Sequence, residues 1–141
     1  MTDQEPVAVD IRREDHENLV RAYGLEMKLL YPWDGLTAPF EGAWCVLRPG
    51  DTSVTHAHHE HEIFIGMTGR AEVVTPDRTY EFNAGDVAFL RPGIEHHLTN
   101  SHDEDFAYYA IWWDRAMSEG FVKQEEERAQ VAGRAVAGGD R

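Results

Sequence analysis

The chain has 141 residues, 42% of them hydrophobic and 11% aromatic, which suits one domain with one core and excludes a disordered polypeptide. Twenty-six acidic against thirteen basic residues give a formal charge of −13, a surface that repels phosphate backbones and anionic lipid and otherwise maintains solubility. The N-terminal MTDQEPVAVDIRRED holds no apolar stretch for a signal sequence, and no run is long enough to span a bilayer.

In chain order, residues 1–9 read as a loose leader. The spacing of Leu19, Val20 and Tyr23 predicts a short helix over Glu14–Tyr23, with Asp15 as N-cap and Gly24 as the glycine that ends it. From about Glu41 the pattern changes to short apolar or alternating runs, closed by turn residues roughly every 8–12 positions. Strands are predicted near 42–48, 53–58, 61–67, 70–75, 78–82, 86–90, 95–99 and 105–113. The breaks between them are Pro49-Gly50-Asp51, Thr68-Gly69, Pro76-Asp77, Asn83-Ala84-Gly85 and Arg91-Pro92-Gly93. The single Cys45 excludes an intrachain disulfide and fits a reducing cytoplasm; inside the apolar run Ala43–Leu47 it reads as a core thiol. Many short strands with no helix between them indicate an antiparallel sandwich or barrel. Asp114–Val131, rich in Glu, Gln, Ala and Arg, predicts a solvated helix, and the last ten residues, AGRAVAGGDR, are expected to fray.

The densest chemistry lies in THAHHEHE, Thr55–Glu62, with four histidines and two glutamates in eight residues. Side chains alternate along a strand, so His56 and His58 share a side and need one or two further donors to hold a metal. Glu62 follows past a bend at His59-Glu60, and a second pair, His96-His97, follows the turn at Arg91-Pro92-Gly93. The alternatives are a pH-sensing patch or a solvated polar run.

The series Gly50-x5-His56-x-His58-x3-Glu62-x6-Gly69 resembles the first motif of the cupin superfamily. Gly85, then Pro92-x3-His96-x3-Asn100, resembles the second. Arg91 stands where the family usually has proline, while Gly93 and His96 keep their places. The resemblance implies an all-β fold: a cupin-type antiparallel β-barrel (double-stranded β-helix or jelly roll) with short N-terminal and C-terminal helices. Residues 1–24 would form leader and helix, 25–114 the barrel, and 115–141 the C-terminal helix and frayed tail. It further implies one divalent ion (Zn, Fe, Mn, Ni or Co) held by His56, His58, Glu62 and His96. Three neutral imidazoles and a carboxylate suit such ions and leave positions open, and the lack of a thiolate argues against a closed structural zinc site. His59 and His61 are expected to be bystanders, His97 to point away from His96, and His16 and His102 to lie at the surface.

The last strand carries two alternating sets, Phe106, Tyr108, Ala110, Trp112 and Ala107, Tyr109, Ile111, Trp113. One packs inside, and the other is to be covered by a helix or by a second subunit in a homodimer. Arg91, Tyr109 and Trp113 are the expected substrate contacts; no catalytic residue is assigned. A narrower likeness joins AWCVLRPGDTSVTHAHHEHEIFIGMTGRAEV and YAIWWD, which resemble the cupin part of bacterial hydrazine synthetases. It implies N–N bond formation, by rearrangement of an amino-acid ester of an N-hydroxylated amine, beside a separate methionyl-tRNA-synthetase-like protein. The expectation is therefore a cytoplasmic, metal-dependent enzyme on a small polar metabolite, with no nucleic-acid or membrane partner. An Fe- or Ni-dependent cupin dioxygenase, a non-enzymatic metal- or ligand-sensing cupin, and a barrel that merely buries its histidines are the alternatives.

Overall fold

The structure, a computed structural model, describes residues 8–137. Nine strands precede one helix: β1 (Val20–Ala22), β2 (Leu25–Leu29), β3 (Glu41–Leu47), β4 (His61–Thr68), β5 (Arg70–Val74), β6 (Thr79–Asn83), β7 (Val87–Leu90), β8 (His97–Thr99), β9 (Phe106–Trp113) and α1 (Arg115–Ala137). A six-stranded sheet runs β1-β2-β3-β9-β4-β7 and a three-stranded one β6-β5-β8, with every pairing antiparallel. Inward residues of both sheets, Leu47, Phe64 and Phe106 from one and Val73, Phe82 and Leu98 from the other, share one core. Alternation decides which set of β9 faces it: Phe106, Tyr108 and Ala110 are buried there, and Trp112 packs against them.

The turns work as glycine requires. At Gly69, φ is +83°, and a Cβ would run into the Asp105 carbonyl, so only glycine admits this approach between β4–β5 and the start of β9.

The expected N-terminal helix is absent. Asp15 does accept from the Glu17 amide at 2.8 Å, but no helical turn follows. Val20 and Tyr23 are 68% and 66% exposed, so the apolar residues never form one buried stripe. Instead Tyr23 (φ 55°) and Gly24 (φ 80°) form the two-residue turn of the hairpin β1–β2, in which Ala22 pairs with Leu25. Arg48 anchors the preceding segment: its guanidinium donates to the His16 carbonyl, to Glu26 at 2.5 Å and to Asp105 at 2.7 Å.

The predicted strand at 53–58 is also absent as a regular ladder. Single bridges, Thr52 to Thr99 and His56 to His96, flank a segment whose Val54 amide turns away to the Tyr23 carbonyl at 2.8 Å. At the C-terminus Asp114 caps the helix, accepting from the Met117 amide at 2.8 Å. That helix runs to Ala137, beyond the expected end at Val131 and through part of the tail expected to fray. Residues 1–7 of the leader and 138–141 of the tail lie outside the described residues.

Candidate metal centre

Four side chains from three stretches converge at one end of the core. His56 and His58 come from the bridged segment, Glu62 from the start of β4, and His96 from the residue before β8. Mutual hydrogen bonds between the His56 and His96 backbones, at 3.2 and 3.1 Å, set the two imidazoles opposite one another. The Gly93 amide donates to the His58 carbonyl at 2.8 Å, tying the Arg91-Pro92-Gly93 turn to the other ligand segment. The three rings stand nearly equidistant, with centroids 5.2, 4.9 and 5.3 Å apart, and one donor atom from each of the four residues lies within 4.8 Å of the others.

Each imidazole is oriented by its own backbone neighbourhood. Nδ1 of His56 meets the Val54 carbonyl at 3.0 Å, Nδ1 of His58 the Glu60 carbonyl at 3.1 Å, and Nδ1 of His96 the Ile94 carbonyl at 3.0 Å. A carbonyl oxygen only accepts, so each Nδ1 carries the hydrogen and donates, and in a neutral ring Nε2 is left as a lone pair. Those lone pairs face the carboxylate: Nε2 of His58 lies 3.0 Å and Nε2 of His96 3.6 Å from Oε1 of Glu62. Nε2 of His96 is moreover buried with no hydrogen-bond partner, in a residue only 2% exposed. Acceptors pointed at acceptors repel unless a proton or cation stands among them. Donors around an ion at about 2.0–2.2 Å sit roughly 3–4 Å from each other; both Glu62 distances fall in that range, and the whole set, spread within 4.8 Å, needs only a slight contraction to hold a divalent cation.

Beside the donors opens a cavity of ≈ 270 Å³. Its walls come from β2 (Leu25, Met27), β4 (Phe64), β8 (Leu98) and β9 (Tyr108, Trp112). Burial pushes the Cys45 thiol up to about 12 and the Tyr108 hydroxyl well above its ordinary value, so both are protonated at neutral pH. The neighbouring Cys45 raises the phenol further.

Residues 43–112 match the Cupin_2 family, a cupin domain. A Cupin 2 conserved barrel domain protein from Salinispora arenicola is 47% identical, with a TM-score of 0.78 over 84% of this chain and 99% of its own. The chain belongs to the cupin superfamily. A second cupin-fold structure, from Photorhabdus luminescens, is 38% identical, with a TM-score of 0.76 over 82% of this chain and 97% of its own. A predicted oxalate decarboxylase from Thermotoga maritima, 24% identical with a TM-score of 0.55 over 63% of this cupin and 79% of its own chain, shares the fold alone. No curated protein matches significantly.

The cupin ligands expected from sequence, His56, His58, Glu62 and His96, are the group the fold brings together. The three expected substrate contacts do not line this cavity: β9 turns Tyr109 and Trp113 to its other face, and Arg91, just after β7, lies over Phe89. Tyr109 meets Trp44 edge-on at 5.9 Å on the outer side of the sheet. Trp113 stacks on His61 at 5.6 Å, His61 on Phe89 at 6.0 Å, and the Arg91 guanidinium lies 5.0 Å over Phe89. These side chains form a column on the outer face of the sheet. His59 is exposed, and its hydrogen bond to Asp114 at 2.9 Å, with Glu60 nearby, raises its pKa. His97 meets Thr55 at 3.1 Å, whereas His16 and His102 are half-buried in pairs with Asp105 and Glu72 at 2.9 and 2.8 Å. Sequence reasoning missed Tyr23 and Glu60 as cavity residues. The Tyr-Gly turn pair was the available signal for Tyr23, and nothing local pointed to Glu60.

Proposed function

We propose that this cupin is a mononuclear metal-dependent enzyme acting on a small metabolite bound beside His56. The observation that supports this is the joining of four convergent donors, one of them a buried orphan nitrogen, to a cavity with room for an organic molecule. An ion with a purely structural role needs no such space. His56, His58, Glu62 and His96 would hold a zinc, iron, manganese, nickel or cobalt ion, which when bound supplies Lewis acidity or, for a redox metal, electron transfer. The chain's own groups supply the rest. The three Nδ1 bonds hold the imidazoles in place, the apolar walls exclude water, and Glu60 is the cavity carboxylate outside the donor set, its Oε1 3.8 Å from Nδ1 of His58 and 3.5 Å from Nδ1 of His59.

The narrower reading, N–N bond formation beside a methionyl-tRNA-synthetase-like partner, rests on the sequence stretches quoted above, and the relatives found add nothing to it. A dioxygenase and a sensor are the competing classes. Elemental analysis of the purified chain, followed by oxygen-uptake and turnover screens on metal-loaded and stripped protein, separates them. About one ion per chain, lost in His96→Ala, is expected together with metal-dependent turnover. Oxygen uptake would assign the dioxygenase class. Metal retained by His96→Ala would overturn the site, and tight ligand binding without turnover of any candidate would favour the sensor.

A further inference from the structure

Resting on that reading, the geometry points to a substrate class: a molecule with a single metal-binding head and an apolar body, carrying neither phosphate nor a second carboxylate. Away from the donors the cavity runs over Leu25, Met27, Phe64, Leu98, Ala110 and Trp112. The polar floor is small: the Ser53 hydroxyl already accepts from the Leu98 amide at 2.8 Å, and the Tyr108 phenol belongs to the residue paired with Cys45 across β3 and β9. A polyhydroxylated ligand would leave its hydroxyls unpaired against these walls.

Charge leads to the same class. Among the described residues no lysine or arginine lines the cavity, and the only acids there are Glu60 and Glu62. A divalent ion at the donors and those two carboxylates sum to zero formal charge (+2 − 1 − 1), so a phosphate or dicarboxylate would be buried without a counter-charge. A neutral or singly charged head has no such difficulty. The volume, ≈ 270 Å³, lies just below the roughly 300–1,000 Å³ of drug-sized sites, which suits a head joined to one ring or one branched chain. The mouth continues the apolar wall. Tyr23, held by its carbonyl on the Val54 amide at 2.8 Å, sets its ring centroid 6.4 Å from that of His56 and closes the rim with an aromatic edge. This cupin therefore selects against polyanions by leaving them unpaired and for apolar bodies by burial.

Cobalt-loaded protein titrated with three chelators tests this, followed by visible absorption and calorimetry and normalised to each chelator's affinity for free cobalt. Benzohydroxamate carries the head and a ring, acetohydroxamate the same head without the ring, and oxalate a similar bite with two charges and no body. Benzohydroxamate is expected to bind roughly 10- to 100-fold tighter than acetohydroxamate, as burial of a ring implies, with oxalate weakest. Met27→Gln, polar and close in size, should cut the advantage of the ring by about tenfold while the cobalt spectrum stays unchanged. Equal binding of the two hydroxamates, or oxalate binding as tightly as benzohydroxamate, overturns the substrate class and leaves the metal site standing. Protein that takes up no cobalt overturns the metal reading, and this inference with it.

Discussion

Metal removal should lower the melting temperature of this cupin, and only while the four donors are intact. An ion that binds the folded chain alone stabilises it by about 2.7 kcal/mol at a hundredfold excess over Kd. At about 2.1 cal/mol/K of unfolding entropy per residue, 141 residues give about 0.3 kcal/mol/K, so loading should raise the melting temperature by roughly 9 °C. The stripped site has a cost of its own, because Nε2 of His58 and Oε1 of Glu62 face each other at 3.0 Å and Nε2 of His96 is buried unpaired. Such a group costs about 1–3 kcal/mol, which widens the gap between the two states. His96→Ala removes a donor and also a ring 2% exposed and packed edge-on to Phe64 at 6.2 Å. The packing loss is partly offset by removal of the unpaired nitrogen, so baseline stability should fall by about 1–3 kcal/mol, and the response to metal should vanish. Scanning calorimetry of wild type, His96→Ala, His59→Ala and His61→Ala, with metal and with chelator, reads both effects. A wild-type transition indifferent to metal would refute the reasoning. So would a shift that His59→Ala abolishes and His96→Ala keeps, which would make THAHHEHE a surface chelator.

Asn100, fully buried, donates to the Leu47 and Glu104 carbonyls at 2.9 and 2.7 Å and accepts from the His102 amide at 3.0 Å. Asn100→Leu strands those groups and should cost about 2–4 kcal/mol in urea denaturation, so a loss under about 0.5 kcal/mol would show that they find other partners. Burial pushes the Asp105 carboxyl up, but hydrogen bonds from His16 and Arg48 and the Arg48 charge outweigh it and hold it below its usual range. Its folded pKa is thus depressed: the stabilisation is fully present above about pH 4, the unfolded value, and is lost as pH falls below it. Asp105→Asn should flatten the acid limb of a stability-against-pH curve, and an unchanged slope would exclude this carboxylate as its source. Cys45, buried and pushed up to about 12, should react with a thiol reagent in the native state roughly a thousandfold more slowly than in the unfolded chain. Equal rates would place the thiol at the surface.

The donor set was legible through the resemblance of two short motifs to those of cupins: each motif is a local run of glycines, histidines and a glutamate, and the resemblance supplied the meeting of His96 with the other three. Most strand positions were legible from local signals, since turn residues punctuate them. What escaped depends on distant partners. Tyr23-Gly24 reads equally well as a helix end or as a hairpin turn, and the choice is made by the Cys45–Met27 ladder and by the Arg48 clamp on His16 and Glu26. The inner set of β9 could be listed as one of two alternatives, but only the pairing of Tyr108 with Cys45 across β3 turns it to the cavity. Tyr109 and Trp113 lie on the outward parity of β9 for that reason. Segment 53–58 kept the shared side of His56 and His58 without being a regular strand, because the Ser53 and His56 amides bond Leu98 and His96 while the Val54 amide between them turns to Tyr23.

The β1–β2 hairpin supplies Tyr23, Leu25 and Met27 to the cavity and no metal ligand. It sits at the outer edge of the six-stranded sheet, attached through β3, the Tyr23–Val54 bond and the Arg48 cluster. Metal affinity and ligand choice are thus written on separate stretches of chain, and they are free to diverge at different rates. Substitutions over Leu25–Met27 reshape what fits while leaving the histidines undisturbed. A descendant of this fold could change what it accepts by drift in one short hairpin, with His56, His58, Glu62 and His96 left as they stand.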